Sequence, residues 1–220
     1  MKDIIHTERL YLSPLKSKDV NRVVHIAKHM RATKVKNPDY FLFARFDYNS
    51  VEKDKDLPAA VKKFFITMKP AAPKVVKRFK ICLRNGYIIG YIGFLYNPST
   101  EDKSDLGIFL DPDYEHKGYA FEAQKSLLAY YFVNYDDKIY LTIYPKNLPS
   151  YRLNTKCGAT KIGHIEISKY GSERDILVIT RQKFIKTVFQ KKFTTAEKEK
   201  QFLLDYLKAH NVSFIIDKTF

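Results

Sequence analysis

Residues 105–128 read DLGIFLDPDYEHKGYAFEAQKSLL, and the fold turns on them. Leu106, Ile108 and Leu110 alternate with Gly107 and Phe109, a strand pattern with little polar content. Asp111-Pro112-Asp113 stops that strand, because proline has no N–H for a ladder and aspartate favours local turn bonds. Past Gly118, the residues Ala120, Ala123, Leu127 and Tyr130 recur at helical spacing. The spacing predicts a helix that starts near Gly118, straight out of a strand end, and runs to about Val133.

That junction has a chemical consequence. The first four N–H groups of a helix have no intrahelical acceptor, and the helix dipole adds partial positive charge there. A glycine at the turn lets a bulky anion come close to the backbone. The stretch is therefore a candidate phosphate or pyrophosphate site. Spacing alone leaves open the plainer reading, a compact strand-to-helix connection.

Outward from this centre the chain alternates strands and helices. Residues 9–13 form a first strand, with Leu10 and Leu12 on one side. Ser17 is placed to cap a helix through Met30, along the stripe Val20, Val23, Val24, Ala27, Met30. Residues 31–56 are less regular and mix aromatics such as Phe43 and Phe46 with acids such as Asp39 and Asp47. They suit either a cleft wall or packing under a long loop. Residues 57–68 read as a helix ended by Pro70 and Pro73. Two strands, 78–84 and 87–94, flank Asn85-Gly86, a strong hairpin signal. Gly90 and Gly93 in the second strand predict a bulge or a close backbone approach.

Beyond the central helix, residues 138–144 alternate as a strand. Asn147 is placed to cap a helix ending at Lys156 or Cys157, with Gly158 just past it. Residues 161–167 and 175–183 read as strands joined near Tyr170-Gly171. Thr194 or Thr195 opens a helix to His210, with the stripe Phe202, Leu203, Tyr206, Leu207, and 212–216 is strand-like. The pattern predicts an α/β fold with one mixed sheet flanked by helices. Its main domain covers residues 1–185, and 186–220 form a helical extension packed on it.

Composition sets outer bounds. A chain of 220 residues with 45% apolar content can bury a real core. No apolar run reaches the ~18 residues of a membrane helix, and the opening MKDIIHTERL lacks the apolar region of a secretory signal. Cys82 and Cys157 make no disulfide framework and read as small apolar fillers, so a reducing cytoplasm is expected. His25 and His29 are an i, i+4 pair, but no third metal ligand is visible, and no metal is expected. The formal charge of +15 favours anionic partners. Lysine is spread along the whole chain, which speaks against nucleic acid as the main partner.

One phrase carries a resemblance. His116-Lys117-Gly118-Tyr119-Ala120, followed by Glu122-Ala123, resembles the acyl-CoA signature of the GNAT N-acetyltransferases. LGIFLDPDYEHKGYAFEA looks most like the RimJ/RimL branch, which acetylates protein N-termini. Asn147-Leu148-Pro149-Ser150 with Lys156-Cys157-Gly158-Ala159, and the opening Thr7-Glu8-Arg9-Leu10, are similar to that branch too. The resemblance covers about residues 7 to 183. Glu115 departs from it, standing where the family has Gln or Arg, and so does Asn154, where many members place a tyrosine acid.

The resemblance implies a GNAT-like, mostly antiparallel central sheet flanked by helices. It implies acetyl-CoA as co-substrate and a primary amine as acceptor, foremost a protein N-terminal α-amine. A small amine, or acyl-CoA binding with little turnover, are the alternatives. The implied cofactor contacts are Ile108, Phe109, Leu110, His116, Lys117, Gly118, Tyr119, Ala120, Asn147 and Ser150. Asp105 is the implied base, with Ser150 and Tyr151 as candidate acids or thiolate partners. A monomer or homodimer, away from membranes, completes the expectation.

Overall fold

The computed structural model describes residues 4–34, 77–96, 104–167 and 172–210, with the single position 59. The readings for 35–56 and 57–68, the 167–173 turn and the 212–216 strand fall on residues that lie, in whole or in part, outside this set.

A sheet of eight strands runs through the molecule in the order β1-β2-β3-β4-β5-β6-β8-β7. Strands β1 (Ile5–His6), β2 (Leu10–Pro14), β3 (Lys77–Leu83), β4 (Ile88–Tyr96) and β5 (Ser104–Leu110) are joined antiparallel. Strand β6 (Lys138–Ile143) lies parallel to β5, while β8 (Ser172–Thr180) and β7 (Thr160–Ile167) add antiparallel beyond it. The sheet is thus mixed and mostly antiparallel, with helices α1 (Val20–Lys34), α2 (Tyr119–Asn134), α3 (Leu148–Lys156), α4 (Arg181–Phe189) and α5 (Ala196–Ala209) around it.

The hairpin forms where Asn85-Gly86 predicted it. Gly86 takes φ +92°, and the Leu83 N–H donates to the Tyr87 carbonyl at 2.9 Å. The close approach expected at the β4 glycines is real. A Cβ on Gly90 would come 2.2 Å from the Phe109 carbonyl oxygen, and one on Gly93 would come 2.5 Å from that of Lys77. The register of β3 against β4 shifts between Ile81 and Cys82, a bulge of the kind glycine-rich strands accommodate.

Two local readings differ from the structure. Ser17 opens a single 3-10 turn, Ser17–Asp19, instead of capping α1, and α1 runs four residues past Met30. Asp19 does the fixing there: its carboxylate accepts the Lys16 N–H at 2.9 Å and pairs with the Lys80 ammonium at 3.1 Å. The strand expected to reach Lys183 stops at Thr180, whose hydroxyl accepts the Lys183 N–H and starts α4. Thr195 caps α5 in the same way, accepting from Lys198.

The core joins one sheet face to α2. Leu12, Phe79, Ile81, Ile92, Phe94, Leu106, Leu141 and Ile179 pack with Ala123, Leu127 and Tyr130. Helix α2 is buried from Ala123 to Val133 except at Lys125, because α5 and the sheet cover it from different sides. Phe184 of α4 and Leu203 and Leu207 of α5 belong to the same cluster. Lys125, half-buried, lies 4.8 Å from the Phe189 ring centroid and 5.0 Å from that of Tyr206. No helix of the described residues is long and apolar enough to cross a membrane.

Candidate active site

The parallel pair β5–β6 is incomplete. Asp105 pairs with Tyr140, and no further register pair joins the two strands among the described residues. Strand β5 keeps its full ladder with β4 on the other side, from Ser104 to Leu110. The strands therefore part beyond Asp105, and backbone groups of β5 and β6 face a gap. Buried backbone polar groups need partners, so such a gap suits an extended ligand carrying amides of its own.

A cavity of about 530 Å³ lies at this opening. Ile108, Phe109 and Leu110 of β5 form one wall, and Asn147, Ser150 and Leu153 of α3 another. Glu115, His116, Gly118, Tyr119 and Ala120 close it at the start of α2. The walls are mostly apolar, with polar residues at the start of α2 and along α3.

The turn into α2 is held in a costly shape. His116 has φ +59° and Gly118 φ +83°, both left-handed. The histidine conformation costs on the order of 1–2 kcal/mol, so the surroundings must impose it. The first bond of the helix runs from the Glu122 N–H to the Gly118 carbonyl at 3.1 Å. The N–H groups of Gly118, Tyr119, Ala120 and Phe121 thus have no acceptor in the helix, and these residues line the cavity. Free N–H groups at a helix start are the arrangement in which the sequence reading expected an anion to bind.

Residues 7–9, more than a hundred positions away in sequence, contact this turn. The Glu122 carboxylate accepts the Thr7 hydroxyl at 2.5 Å, the Arg9 N–H at 2.7 Å and the Arg9 Nε at 2.7 Å. Arg9 Nη1 donates to the Lys117 carbonyl at 3.0 Å, and the guanidinium lies 4.5 Å from the Tyr119 ring centroid. Burial works to raise the Glu122 carboxyl, but the bonds from Thr7 and Arg9 outweigh it and hold it below the usual carboxylate range.

Helix α3 is tied to α2 through amides. Asn147 caps it by accepting the Ser150 N–H at 3.2 Å. Asn154 is buried; its oxygen accepts from Gln124 Nε2 at 2.8 Å, and its own amide donates to the Ser150 carbonyl and hydroxyl at 2.9 and 3.2 Å. The Asn154 amide thus orients Ser150. With its oxygen accepting from Asn154, the Ser150 hydroxyl keeps its proton available to the cavity.

The structure brings together most residues singled out from sequence. Ile108, Phe109, Leu110, His116, Gly118, Tyr119, Ala120, Asn147 and Ser150 all line the one cavity. Lys117 does not; its ammonium donates to the Asp113 carbonyl at 2.7 Å. The Asp105 backbone marks the point where the strands part, and its side chain lies outside the described residues. Tyr151 is not among the lining residues, and its hydroxyl donates to Asp175 on β8. Burial first, then the carboxylate, raises the phenol well above its ordinary value, so it gives up a proton reluctantly. Cys157 is fully buried and its thiol is pushed up to about 12 by burial, which leaves it un-ionised and a poor nucleophile. Lys156 of the second motif and Arg152, one turn before it on α3 and not singled out from sequence, add two cations to the cavity wall.

Among the described residues the two histidines have different surroundings. His25 is exposed, and His29 Nδ1 lies 2.8 Å from Asp111. His29, Asp111 and Asp113 sit within metal-ligand reach of one another, but Arg22 holds the other Asp111 oxygen at 2.7 Å. The trio thus ties α1 to the turn after β5.

Asp175 is the second anchored carboxylate. Burial works to raise it, but Lys161 at 2.7 Å, the Tyr151 hydroxyl and His164 at 2.8 Å outweigh burial and bring it down to about 2. A carboxyl held below its unfolded value stabilises the fold above about pH 4, and that contribution fades as pH falls toward 2. Lys161 and His164 are exposed, which screens the effect. Asp175→Asn is therefore expected to lower the melting temperature by roughly 2–4 °C at pH 7, the scale of about 1 kcal/mol in a chain of this size. Thermal melts should show that difference shrinking below about pH 3.

With this geometry in place, comparison with known proteins becomes informative. The family model of the acetyltransferase (GNAT) domain matches residues 9–160. The chain belongs to the GNAT acetyltransferase family. An uncharacterized N-acetyltransferase of Bacillus subtilis (strain 168), YnaD, is 36% identical over 89 residues. That match covers 40% of this chain and 52% of YnaD, so the chain spans about half the length of this relative. Among solved structures, the RimL ribosomal L7/L12 α-N-protein acetyltransferase in complex with coenzyme A superposes with TM-score 0.61 at 15% identity, over 80% of this chain and 97% of that one. A spermidine N-acetyltransferase SpeG chimera from Vibrio cholerae and hSSAT gives TM-score 0.56 at 19% identity, over 81% and 99%. At these identities the likeness is one of GNAT fold.

Proposed function

We propose that this chain transfers the acetyl group of acetyl-CoA to a primary amine, foremost the α-amine of a protein or peptide N-terminus. The observation that carries the reading is the parted β5–β6 pair opening onto the N-terminus of α2, with the GNAT motifs on its walls. Unpaired backbone groups of β5 are suited to the amides of a pantetheine arm, and the N–H groups of residues 118–121 to the diphosphate of coenzyme A.

Each step needs a group the site holds. Backbone N–H groups near Ile108 and Phe109 would polarise the thioester carbonyl. Asp105, directly or through a water, would take the proton of the attacking ammonium and leave a neutral amine. The nitrogen lone pair then forms the C–N bond and the C–S bond breaks; the Ser150 hydroxyl would hydrogen-bond the departing thiolate, and the second proton lost by the nitrogen would neutralise it, leaving the amide and the free CoA thiol. Ser150 is favoured over Tyr151 because the Tyr151 hydroxyl is committed to Asp175. The protein N-terminus is favoured by the RimJ/RimL-like wording of residues 106–123. Such an acceptor acts away from membranes, in keeping with a cytoplasmic setting.

The test pairs binding with turnover. Millimolar CoA is expected to raise the melting temperature, since a ligand that binds only the native state stabilises it by mass action. With acetyl-CoA, short peptides with free N-termini should release thiol, while N-blocked peptides bearing only lysine should not. Efficient use of spermidine with no peptide used would move the protein to small amines, as for the SpeG neighbour. CoA binding without turnover of any amine would make it a binding protein.

A further inference from the structure

The segment 7–9 lies far in sequence from every motif that handles the acyl carrier, yet it touches the anion-binding turn at several points. The Glu122 carboxylate sits in the first turn of α2 and takes three donors, all from Thr7 and Arg9. Arg9 then passes beyond Glu122 to the Lys117 carbonyl, which lies between the two left-handed residues His116 and Gly118. Its Nη2 stands 3.2 Å from where a Cβ on Gly118 would be. Arg9 itself does not line the cavity. It therefore reaches the turn from behind, while the N–H groups of 118–121 face the cavity in front.

We propose that Arg9, with Thr7 and Glu122, is a positioning residue for the diphosphate: a clasp that fixes the turn in its anion-binding shape before the acyl carrier arrives. The inference rests on the coenzyme A reading above and adds to it a control on affinity. The guanidinium is suited to this because it is a planar fork. One edge serves the carboxylate, the next N–H serves the carbonyl, and the face packs on Tyr119. An ammonium has the charge but not the fork. Without the clasp the turn would be free to leave its left-handed conformations, and CoA would have to restore them on binding, which weakens affinity.

The experiment is calorimetric titration of CoA into the wild-type chain and into Arg9→Met, Arg9→Lys and Glu122→Gln. Each sample is melted without ligand, and the phosphorus resonances of saturating CoA are followed by NMR. Wild-type binding is the control on the coenzyme A reading: if it fails there, both that reading and the clasp fall. Where wild type binds, Arg9→Met is expected to raise Kd about tenfold. Arg9→Lys should raise it at least threefold, and Glu122→Gln should fall between. The ligand-free melting temperature should stay within a few degrees, and the bound shift of the diphosphate phosphorus should move toward its free value, with the 3′-phosphate resonance little changed. Three results would overturn the clasp. One is Kd within twofold of wild type in Arg9→Met. Another is full rescue by lysine, which would reduce Arg9 to a nearby charge. The third is equal change in all phosphorus resonances, the mark of general damage. If Arg9→Met does not fold, Arg9→Lys and Glu122→Gln carry the same comparison.

Discussion

Gly118→Val is expected to abolish the CoA-induced rise in melting temperature while leaving the ligand-free protein folded. Gly118 has φ +83°, a conformation that a β-branched residue adopts only under strain. A Cβ there would also press on Arg9 Nη2 at 3.2 Å. The backbone must rotate to relieve both, and that rotation turns the N–H groups of the helix start away from the cavity. Two charge-assisted hydrogen bonds, at roughly 1.5–3 kcal/mol each, amount to a loss in affinity of about 10²–10⁴-fold. The turn lies at the surface, so the fold should lose little. Calorimetric titration and far-UV circular dichroism separate the two effects. An undiminished CoA response in the valine variant would place the diphosphate elsewhere.

Asp105→Asn is expected to slow acetyl transfer by ~10²-fold or more and leave the Kd for CoA within about twofold, the usual result of losing a general base. The residue stands at the last rung before β5 and β6 part, where an amine could meet a thioester drawn into the gap. Asparagine keeps the size and the strand geometry, so the comparison isolates the proton transfer. Single-turnover rates with acetyl-CoA and an N-terminal peptide give the answer. Unchanged rates at every pH would reduce Asp105 to a strand-end residue.

What the sequence disclosed is mostly local. Asn85-Gly86, Gly118 and Asn147 each announce a turn or a cap within a few residues, because their chemistry acts on neighbouring backbone. The strand–turn–helix at 105–128 is of this kind, and seven of the residues singled out in it line one cavity. Interactions between distant segments carried no such signal. Glu122 reads as an ordinary first-turn acid, and nothing near it names Arg9, 113 positions away. Tyr151 looked available for proton transfer, but in the structure its hydroxyl is taken by Asp175 on strand β8. Asn154 looked like a loss, and in the structure it orients Ser150. Helix α4 was hidden for a different reason. The strand was read to Lys183, and the capping role of Thr180 shows only when the Lys183 N–H is seen to reach it.

The clasp also bears on the order in which the molecule comes together. Thr7 and Arg9 precede their partner Glu122 by more than half the length of this chain. Contacts of such separation close late, because the loop entropy is spent before they give anything back. The segment 7–9 must wait for the sheet and α2 before it can lock. The turn into α2, on the proposed reading, would then reach its binding shape only with the native state, and not in a partly folded chain.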